Sequence, residues 1–240
     1  MNTTNAGSQG TDRKAAALVG ILYIVGTVTG VLSVVFTGST LDGPDYLVNI
    51  AADADQMVLG ALFVLIMGLS LAMVPVVMYP ISKRHSQTLA LGYVLFRGAL
   101  ETVTYIAVVI SYLLLVTLSR DFAAAGALDA SGFRALGTVL LEANGWISQI
   151  TTVVFILGAL MFYYVLFRWK LIPRWISGWG LVTALPYLAA GFLVMFGVLE
   201  HFSTVDTLMR VPLGLQEMAM AAWLIAKGFN PSAIASGSAK

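Results

Sequence analysis

The sequence predicts an all-α fold: a polytopic bundle that spans a membrane with six helices and keeps both termini in the cytoplasm. Three observations predict it, since 59% of the 240 residues are hydrophobic, only 10% are charged, and the charged residues divide the chain into long apolar runs. Soluble domains are about 45–50% apolar, so this composition excludes a water-soluble globule. Continuously apolar runs also exclude a membrane β-barrel, whose strands alternate between apolar and polar residues.

Six apolar runs are candidates for membrane spans. A helix rises about 1.5 Å per residue and needs about 20 residues to cross a hydrocarbon core of about 30 Å, a length that every run except the sixth exceeds. Arg97 and Glu101 interrupt the third run, and Glu217 interrupts the sixth, which we expect Pro212 to start. All six belong to one domain, residues 12–230. The expected spans are 15–36, 56–82, 89–118, 143–167, 175–199 and 211–226.

The distribution of basic residues predicts the orientation of the bundle. Lys and Arg are concentrated at the termini and in the second and fourth connections, for example at Lys83, Arg84 and Arg174, whereas acidic residues predominate in the other connections. Because basic residues that flank spans stay in the cytoplasm, we expect both termini there. Residues 1–11 and 231–240 are small and polar, and we expect them to be disordered tails.

Three stretches of the sequence resemble a known family. They include Tyr79-Pro80-Ile81 leading to Arg97 and Glu101, then Ile172-Pro173-Arg174-Trp175, and finally Gln216-Glu217 leading to Lys227-Gly228-Phe229-Asn230. In this order they resemble the bacterial integral-membrane family catalogued as domain of unknown function 4386, over roughly residues 14–230. The resemblance implies six helices in a bacterial cytoplasmic membrane, and it implies no activity, since none is assigned to the family.

Arg97, Glu101 and Glu217 are the main evidence for a site. A charge at the centre of a bilayer costs about 2.5–3.5 kcal/mol, so each of these side chains needs a partner or water. Arg97 and Glu101 are four residues apart and share one helix face. Counted from the cytoplasmic charges at 1.5 Å per residue, Arg97 lies about 20 Å deep and Glu217 about 15 Å. The sequence therefore predicts that the three residues form one buried network.

Further polar residues extend this candidate site. Tyr105 lies one turn after Glu101 on the same stripe, Gln149 belongs to a similar stripe on the fourth span, and Gln216 directly precedes Glu217. Two polar stripes that face inward indicate an internal polar cavity or a hydrogen-bonded helix interface. The residues predicted to bind a ligand or proton are Arg97, Glu101, Tyr105, Gln149, Gln216 and Glu217.

The residue types that the chain lacks exclude several kinds of site. It has no cysteine and two histidines, His85 and His201, which fall in loops on opposite sides of the predicted membrane. A haem, a di-iron cluster or a three-histidine zinc site therefore cannot form. The sequence contains no G-x-S-x-G, phosphate-loop or dinucleotide motif, and its net charge of +1 argues against nucleic-acid binding. We expect no cofactor, no metal and no enzymatic activity.

Two functional interpretations remain open. In the first, the protein is a carrier, minor transporter or sensor whose interior holds a small apolar or cationic ligand, a lipid or a proton. Glu217 is then the better candidate carboxylate, because Arg97 is nearer in sequence to Glu101. In the second, it is a structural or interaction subunit that acts through a membrane partner. A cavity reaching Glu217 from outside would favour the first, and a sealed bundle with no pocket near Glu217 would favour the second. The sequence leaves the oligomeric state open.

Overall fold

The computed structural model describes residues 3–41, 43–125, 130–201 and 203–237, and no strand occurs among them. The all-α fold class is therefore confirmed. The long helices are α1 (Thr3–Leu41), α3 (Ala54–Ser82), α5 (Glu101–Ala125), α6 (Ala130–Arg168), α7 (Arg174–Met195) and α8 (Thr204–Ala226). The short ones are α2 (Tyr46–Ala52), α4 (Gln87–Tyr93) and α9 (Pro231–Gly237), and a π-helical segment, Val94–Leu100, joins α4 to α5.

Within these described residues, 5 helices are long and apolar enough to cross a membrane. Four correspond to α1, α3, α6 and α7, and the other is the continuous helix Gln87–Ala125 that α4, the π-helical segment and α5 form together. These helices make the chain a helical membrane protein. The sixth expected span corresponds to α8, which has 23 residues but is less apolar, because it carries Asp206, Arg210 and Glu217.

Glycines allow α1 to pack closely against its two neighbours. Gly26 and Gly30 of α1 face α3, and a Cβ at Gly26 would lie only 2.7 Å from Leu71. On the other side of α1, a Cβ at Gly20 would lie 2.6 Å from the carbonyl oxygen of Ala221 in α8. Small residues at such contacts let helix backbones approach in membranes. Gly20, Gly26 and Gly30 therefore serve helix packing within the chain.

Both ends of the described chain lie at the same end of the bundle, which we call the terminal end. There the Arg13 Nη1 donates to the carbonyl oxygen of Leu224 at 2.9 Å, and Arg84 Nη1 lies 3.5 Å from Asp12 Oδ2. We call the other end, which carries the connections after α1, α5 and α7, the opposite end. At that end the hydroxyl of Tyr46 donates to the carbonyl oxygen of Arg134 at 3.3 Å.

Helix occurs where we expected disordered tails. The first helix, α1, includes residues 3–11, and α9 covers Pro231–Gly237. The chain after α8 is held in place because the backbone N–H of Asn230 donates to the carbonyl oxygen of Leu171 at 2.8 Å. The remaining residues of the two expected tails, 1, 2 and 238–240, lie outside the described residues.

Several of the observed helix boundaries differ from those expected. The last long helix, α8, begins at Thr204 instead of 211, because the Ser203 hydroxyl caps it by accepting from the N–H of Asp206 at 3.3 Å. Pro212 therefore lies inside the helix and does not start it. The fourth span extends back to Ala130, where apolar residues of the first turns of α6 pack against α2 and α5. The fifth ends at Met195, two residues before Gly197, whose φ of 68° is left-handed.

Candidate functional site

Arg97 lies in the π-helical segment, and its side chain is buried. The N–H of Glu101 bonds to the carbonyl oxygen of Phe96, five residues earlier, and segments of this type are frequent at functional sites. The Arg97 side chain is 3% exposed. Its Nη1 donates to Oε1 and Oε2 of Glu101 at 2.8 and 3.0 Å. This pair is the innermost part of the site.

The predicted network of Arg97, Glu101 and Glu217 is present, and two tyrosines complete it. Arg97 Nη2 lies 3.5 Å from Oε1 of Glu217 across the bundle. The hydroxyl of Tyr105 donates to Glu101 Oε1 at 2.9 Å, and the hydroxyl of Tyr163 in α6 donates to Glu217 Oε1 at 3.3 Å. We call these five residues the inner network. It joins the third, fourth and sixth of the long helical runs.

Two aromatic rings lie close to the Arg97 guanidinium. Its central carbon lies 4.3 Å from the ring centroid of Phe155 and 5.8 Å from that of Tyr23, within the range of cation–π attraction. Helix α6 can come this close because residue 158 is a glycine, where a Cβ would lie 3.0 Å from the backbone nitrogen of Arg97. Sequence reasoning missed these rings, because nothing local distinguishes them from other apolar residues.

Gln149 and Gln216 were also predicted to belong to the site, but the structure directs both toward α7. Gln216 Nε2 donates to the carbonyl oxygen of Ile176 at 3.1 Å, and the Oε1 of Gln149 lies beside Gly191. Within the described part of the chain neither forms a hydrogen bond with the inner network. Both side chains are buried, with Oε1 atoms that accept no hydrogen bond there.

A second charged cluster lies closer to the opposite end, and sequence reasoning missed it. Arg210 Nε donates to Asp206 Oδ1 at 2.6 Å, and Nη1 donates to the Thr152 hydroxyl at 3.0 Å. The guanidinium lies over the ring of Tyr187, 4.9 Å from its centroid, and His201 Nδ1 lies 3.4 Å from Asp206 Oδ2. We call these five residues the outer cluster. The signal for it was local: Asp206 and Arg210 are four residues apart in the first turns of α8.

His201 lies in the connection between α7 and α8 and is only partly buried, with 31% of its side chain exposed. Burial lowers the pKa of its imidazole, because removal from water disfavours the charged form. The neighbouring Asp206 carboxylate raises the pKa of His201 and the Arg210 guanidinium lowers it. The net effect is a lowered pKa. Burial therefore favours the neutral form of the His201 imidazole.

One cavity of about 600 Å³ connects the inner network with the outer cluster. The inner network contributes Arg97, Tyr105 and Glu217 to its lining, and the outer cluster contributes, among others, Arg210 and Tyr187. The remaining wall is largely apolar and comes from α1, α3 and α6. Glu101 does not line this cavity, so Glu217 is the carboxylate of the inner network that a ligand could reach.

The comparisons with known proteins give one match. A family model with the description "domain of unknown function (DUF4386)" matches residues 18–228. No curated protein and no solved structure matches the chain. The matched range contains every residue of the inner network and of the outer cluster.

Proposed function

The chain belongs to the DUF4386 family, and we propose that this member is a carrier, minor transporter or sensor that binds a small lipophilic cation, or a proton, beside Glu217. The observation that carries the proposal is the cavity of about 600 Å³ that reaches Glu217. In this proposal the protein is not an enzyme. It lies in the cytoplasmic membrane of a bacterium, with surrounding lipid and the small ligand as its partners.

The proposal includes α8 as a sixth span, with both termini in the cytoplasm. Its 23 residues would rise about 35 Å, enough to cross the hydrocarbon core. At the terminal end its last turn meets Arg13, and near the opposite end Arg210 meets Thr152. Its charges turn away from lipid, since the Asp206, Glu217 and Arg210 side chains are 1%, 13% and 15% exposed. An even number of spans would put both termini on the same side, and the basic residues near them support the cytoplasmic side.

The charge balance of the inner network supports a cation or proton as the ligand. The network contains one guanidinium and two carboxylates, so it carries one excess negative charge when all three are ionised. An uncompensated charge away from water is costly, and a bound cation or proton would remove it. Glu217 is the weaker partner of Arg97, at 3.5 Å against 2.8 Å for Glu101. It is also the carboxylate that lines the cavity.

The walls of the cavity support a ligand that is also lipophilic. Valines 31, 34 and 35 of α1 and Leu71 of α3 line one side, and the Phe155 ring lines another. The volume of about 600 Å³ is within the range of small-molecule sites, which are mostly apolar with a few polar groups that orient the ligand. In the proposed orientation, the end of the cavity beside His201 faces the outside of the cell.

A structural role for the network is the second candidate. The observation that favours it is the Arg97–Glu101 pair, in which both side chains are at most 3% exposed and no ligand contact is needed to satisfy them. Such a pair could hold the third span in register with the rest of the bundle, while the protein acts through a membrane partner. The two candidates differ in what they require of Glu217.

The test compares the purified wild type with Glu217→Gln in a thermal-shift series over pH 5–8. The probes are tetraphenylphosphonium, a lipophilic cation, and its neutral analogue triphenylphosphine oxide. We expect tetraphenylphosphonium, but not triphenylphosphine oxide, to stabilise the wild type. Glu217→Gln should fold normally but lose the stabilisation by the cation. The matched control is Glu200→Gln, an exposed carboxylate in the connection before α8, which should respond like the wild type. If Glu217→Gln and the wild type respond alike to both pH and cation, the structural role is favoured instead.

A further inference from the structure

A second cavity lies at the terminal end of the bundle and is lined by basic residues. Its volume is about 620 Å³, and Lys170, Arg174 and Lys227 all line it. Its apolar wall includes Trp223 and Phe229. Two of the three stretches that carry the family resemblance, one beginning at residue 172 and one ending at 230, meet here. The proposed function at Glu217 makes no use of this cavity.

The cavity is formed by two connections that are hydrogen-bonded to each other. One connection follows α6 and the other follows α8. The backbone N–H of Asn230 donates to the carbonyl oxygen of Leu171 at 2.8 Å, and its Nδ2 donates to the carbonyl oxygen of Lys170 at 3.4 Å. Gly228 makes the turn after α8 with a left-handed φ of 74°. The position of the three basic residues relative to one another is therefore determined by the fold.

The three cations of this cavity have no acidic partner. No aspartate or glutamate lines the cavity, and none of Lys170, Arg174 and Lys227 forms an ion pair within the described part of the chain. Basic residues at the end of a helix often serve its carbonyl groups. At the end of α8, however, Arg13 already donates to the carbonyl oxygens of Leu224, Ile225 and Ala226 at 2.9, 2.7 and 3.1 Å. The charge of Lys227 is thus available for a ligand.

The backbone at Lys170 provides an independent indication. Its φ of 55° is left-handed, and the next N–H, that of Leu171, bonds back to the carbonyl oxygen of Leu166 at 3.1 Å. This is the helix-ending turn at which glycine is usual, because other residues adopt the left-handed region at a cost. A glycine at this position would form the turn at lower energetic cost. The lysine instead places a cation beside the cavity. Strain of this kind is typical of functional positions.

We propose that this cavity binds the phosphate group of an anionic membrane lipid. Three cations without an acidic partner around one pocket suit a phosphate, and basic pockets between helices on the cytoplasmic side of membranes bind anionic headgroups. The Trp223 and Phe229 side chains offer an apolar surface for the adjoining glycerol and acyl chain. A soluble phosphate would satisfy the same cations, so the experiment has to distinguish the two sources.

The experiment measures the melting temperature of the full chain in nanodiscs of phosphatidylcholine, with and without phosphatidylglycerol. The test variant is Lys170→Gln/Arg174→Gln/Lys227→Gln. The control, Lys14→Gln/Lys83→Gln/Arg168→Gln, removes three exposed cations near the same end that do not line the cavity. We expect phosphatidylglycerol to raise the melting temperature of the wild type and the control but not of the test variant. In a lipid-retention assay, each lost cation should lower affinity about fivefold.

A diffuse attraction to the membrane surface would affect both triple variants equally, and that result would overturn the proposal. So would a test variant that responds like the wild type. Inorganic phosphate added to pure phosphatidylcholine discs should have no effect. If it reproduces the full stabilisation, the ligand is a soluble phosphate and the lipid assignment is wrong. The tetraphenylphosphonium response at Glu217 should be unchanged in every variant, so the two proposals can fail separately.

A single substitution keeps the test decisive if the triple variant does not fold. Lys170→Gly removes one cation and also relieves the left-handed backbone. We expect this variant to melt at or above the wild-type temperature in pure phosphatidylcholine, while gaining less from phosphatidylglycerol. An undiminished gain would count against the proposal, because the loss of the cation would then have had no consequence for binding.

Discussion

Replacement of Arg97 by alanine tests whether the inner network holds the bundle together. The substitution removes two hydrogen bonds to Glu101, at 2.8 and 3.0 Å, and the longer contact of 3.5 Å with Glu217. It also removes the stacking of the guanidinium on Phe155 at 4.3 Å. The Glu101 carboxylate then keeps one partner, the Tyr105 hydroxyl. Glu101 is 0% exposed, so water does not replace the lost guanidinium.

The expected cost follows from the burial of this pair. An exposed ion pair contributes about 0–1 kcal/mol, because water solvates both partners when they separate. Loss of one partner from a buried pair costs about 3–5 kcal/mol, because the other charge is left without compensation. Glu101 belongs to the second case, since it has no access to water. For chains of this size about 1 kcal/mol shifts the melting temperature by 2–4 °C, so we expect a decrease of about 10 °C.

The assay is thermal unfolding of the purified protein in detergent, followed by tryptophan fluorescence and checked by the monodisperse yield in gel filtration. Arg134→Ala removes an exposed arginine near the opposite end and should leave the melting temperature unchanged. Adding Glu101→Gln to Arg97→Ala should restore part of the lost melting temperature, because the uncompensated charge of Glu101 is then absent. If Arg97→Ala melts within about 2 °C of the wild type, Glu101 has found another partner and the reasoning is wrong.

Three other predictions test different parts of the molecule. A C-terminal alkaline phosphatase fusion should be inactive and a C-terminal green fluorescent protein fusion fluorescent, since both termini are expected in the cytoplasm; an active phosphatase would contradict this topology. Gly158→Ala should destabilise the protein by about 1–3 kcal/mol and lower its melting temperature, because the new Cβ would lie 3.0 Å from the Arg97 backbone nitrogen. Gly145→Ala on the same helix should leave the melting temperature unchanged, because the space around Gly145 is open. The lowered pKa of His201 means that the unfolded chain binds its proton first, so stability should fall as pH drops below about 6.5. His201→Gln should flatten that decrease, and an unchanged slope between pH 7 and 5 would assign it to other groups.

The sequence by itself determined the features that depend on position along the chain. Apolar runs bounded by charges predicted where most of the long helices lie, because the cost of burying charge in lipid is a local property of each segment. The spacing of four between Arg97 and Glu101 placed both on one helix face, and counting the rise per residue put Glu217 at a similar depth. The same local rules would have predicted the start of α8 at Thr204, after its cap residue Ser203, and the pairing of Asp206 with Arg210.

The tertiary structure alone decided which face of each helix meets which neighbour. In a membrane both the lipid-facing and the buried side of a helix are apolar, so hydrophobic periodicity does not reveal its rotation about the axis. Gln149 and Gln216 therefore face α7 although their stripes suggested the site, and Phe155 meets Arg97 although nothing in its run suggested it. Contacts between distant segments are also invisible locally. Lys170 and Lys227 come to line one cavity only because the packing of all the helices brings the ends of α6 and α8 together.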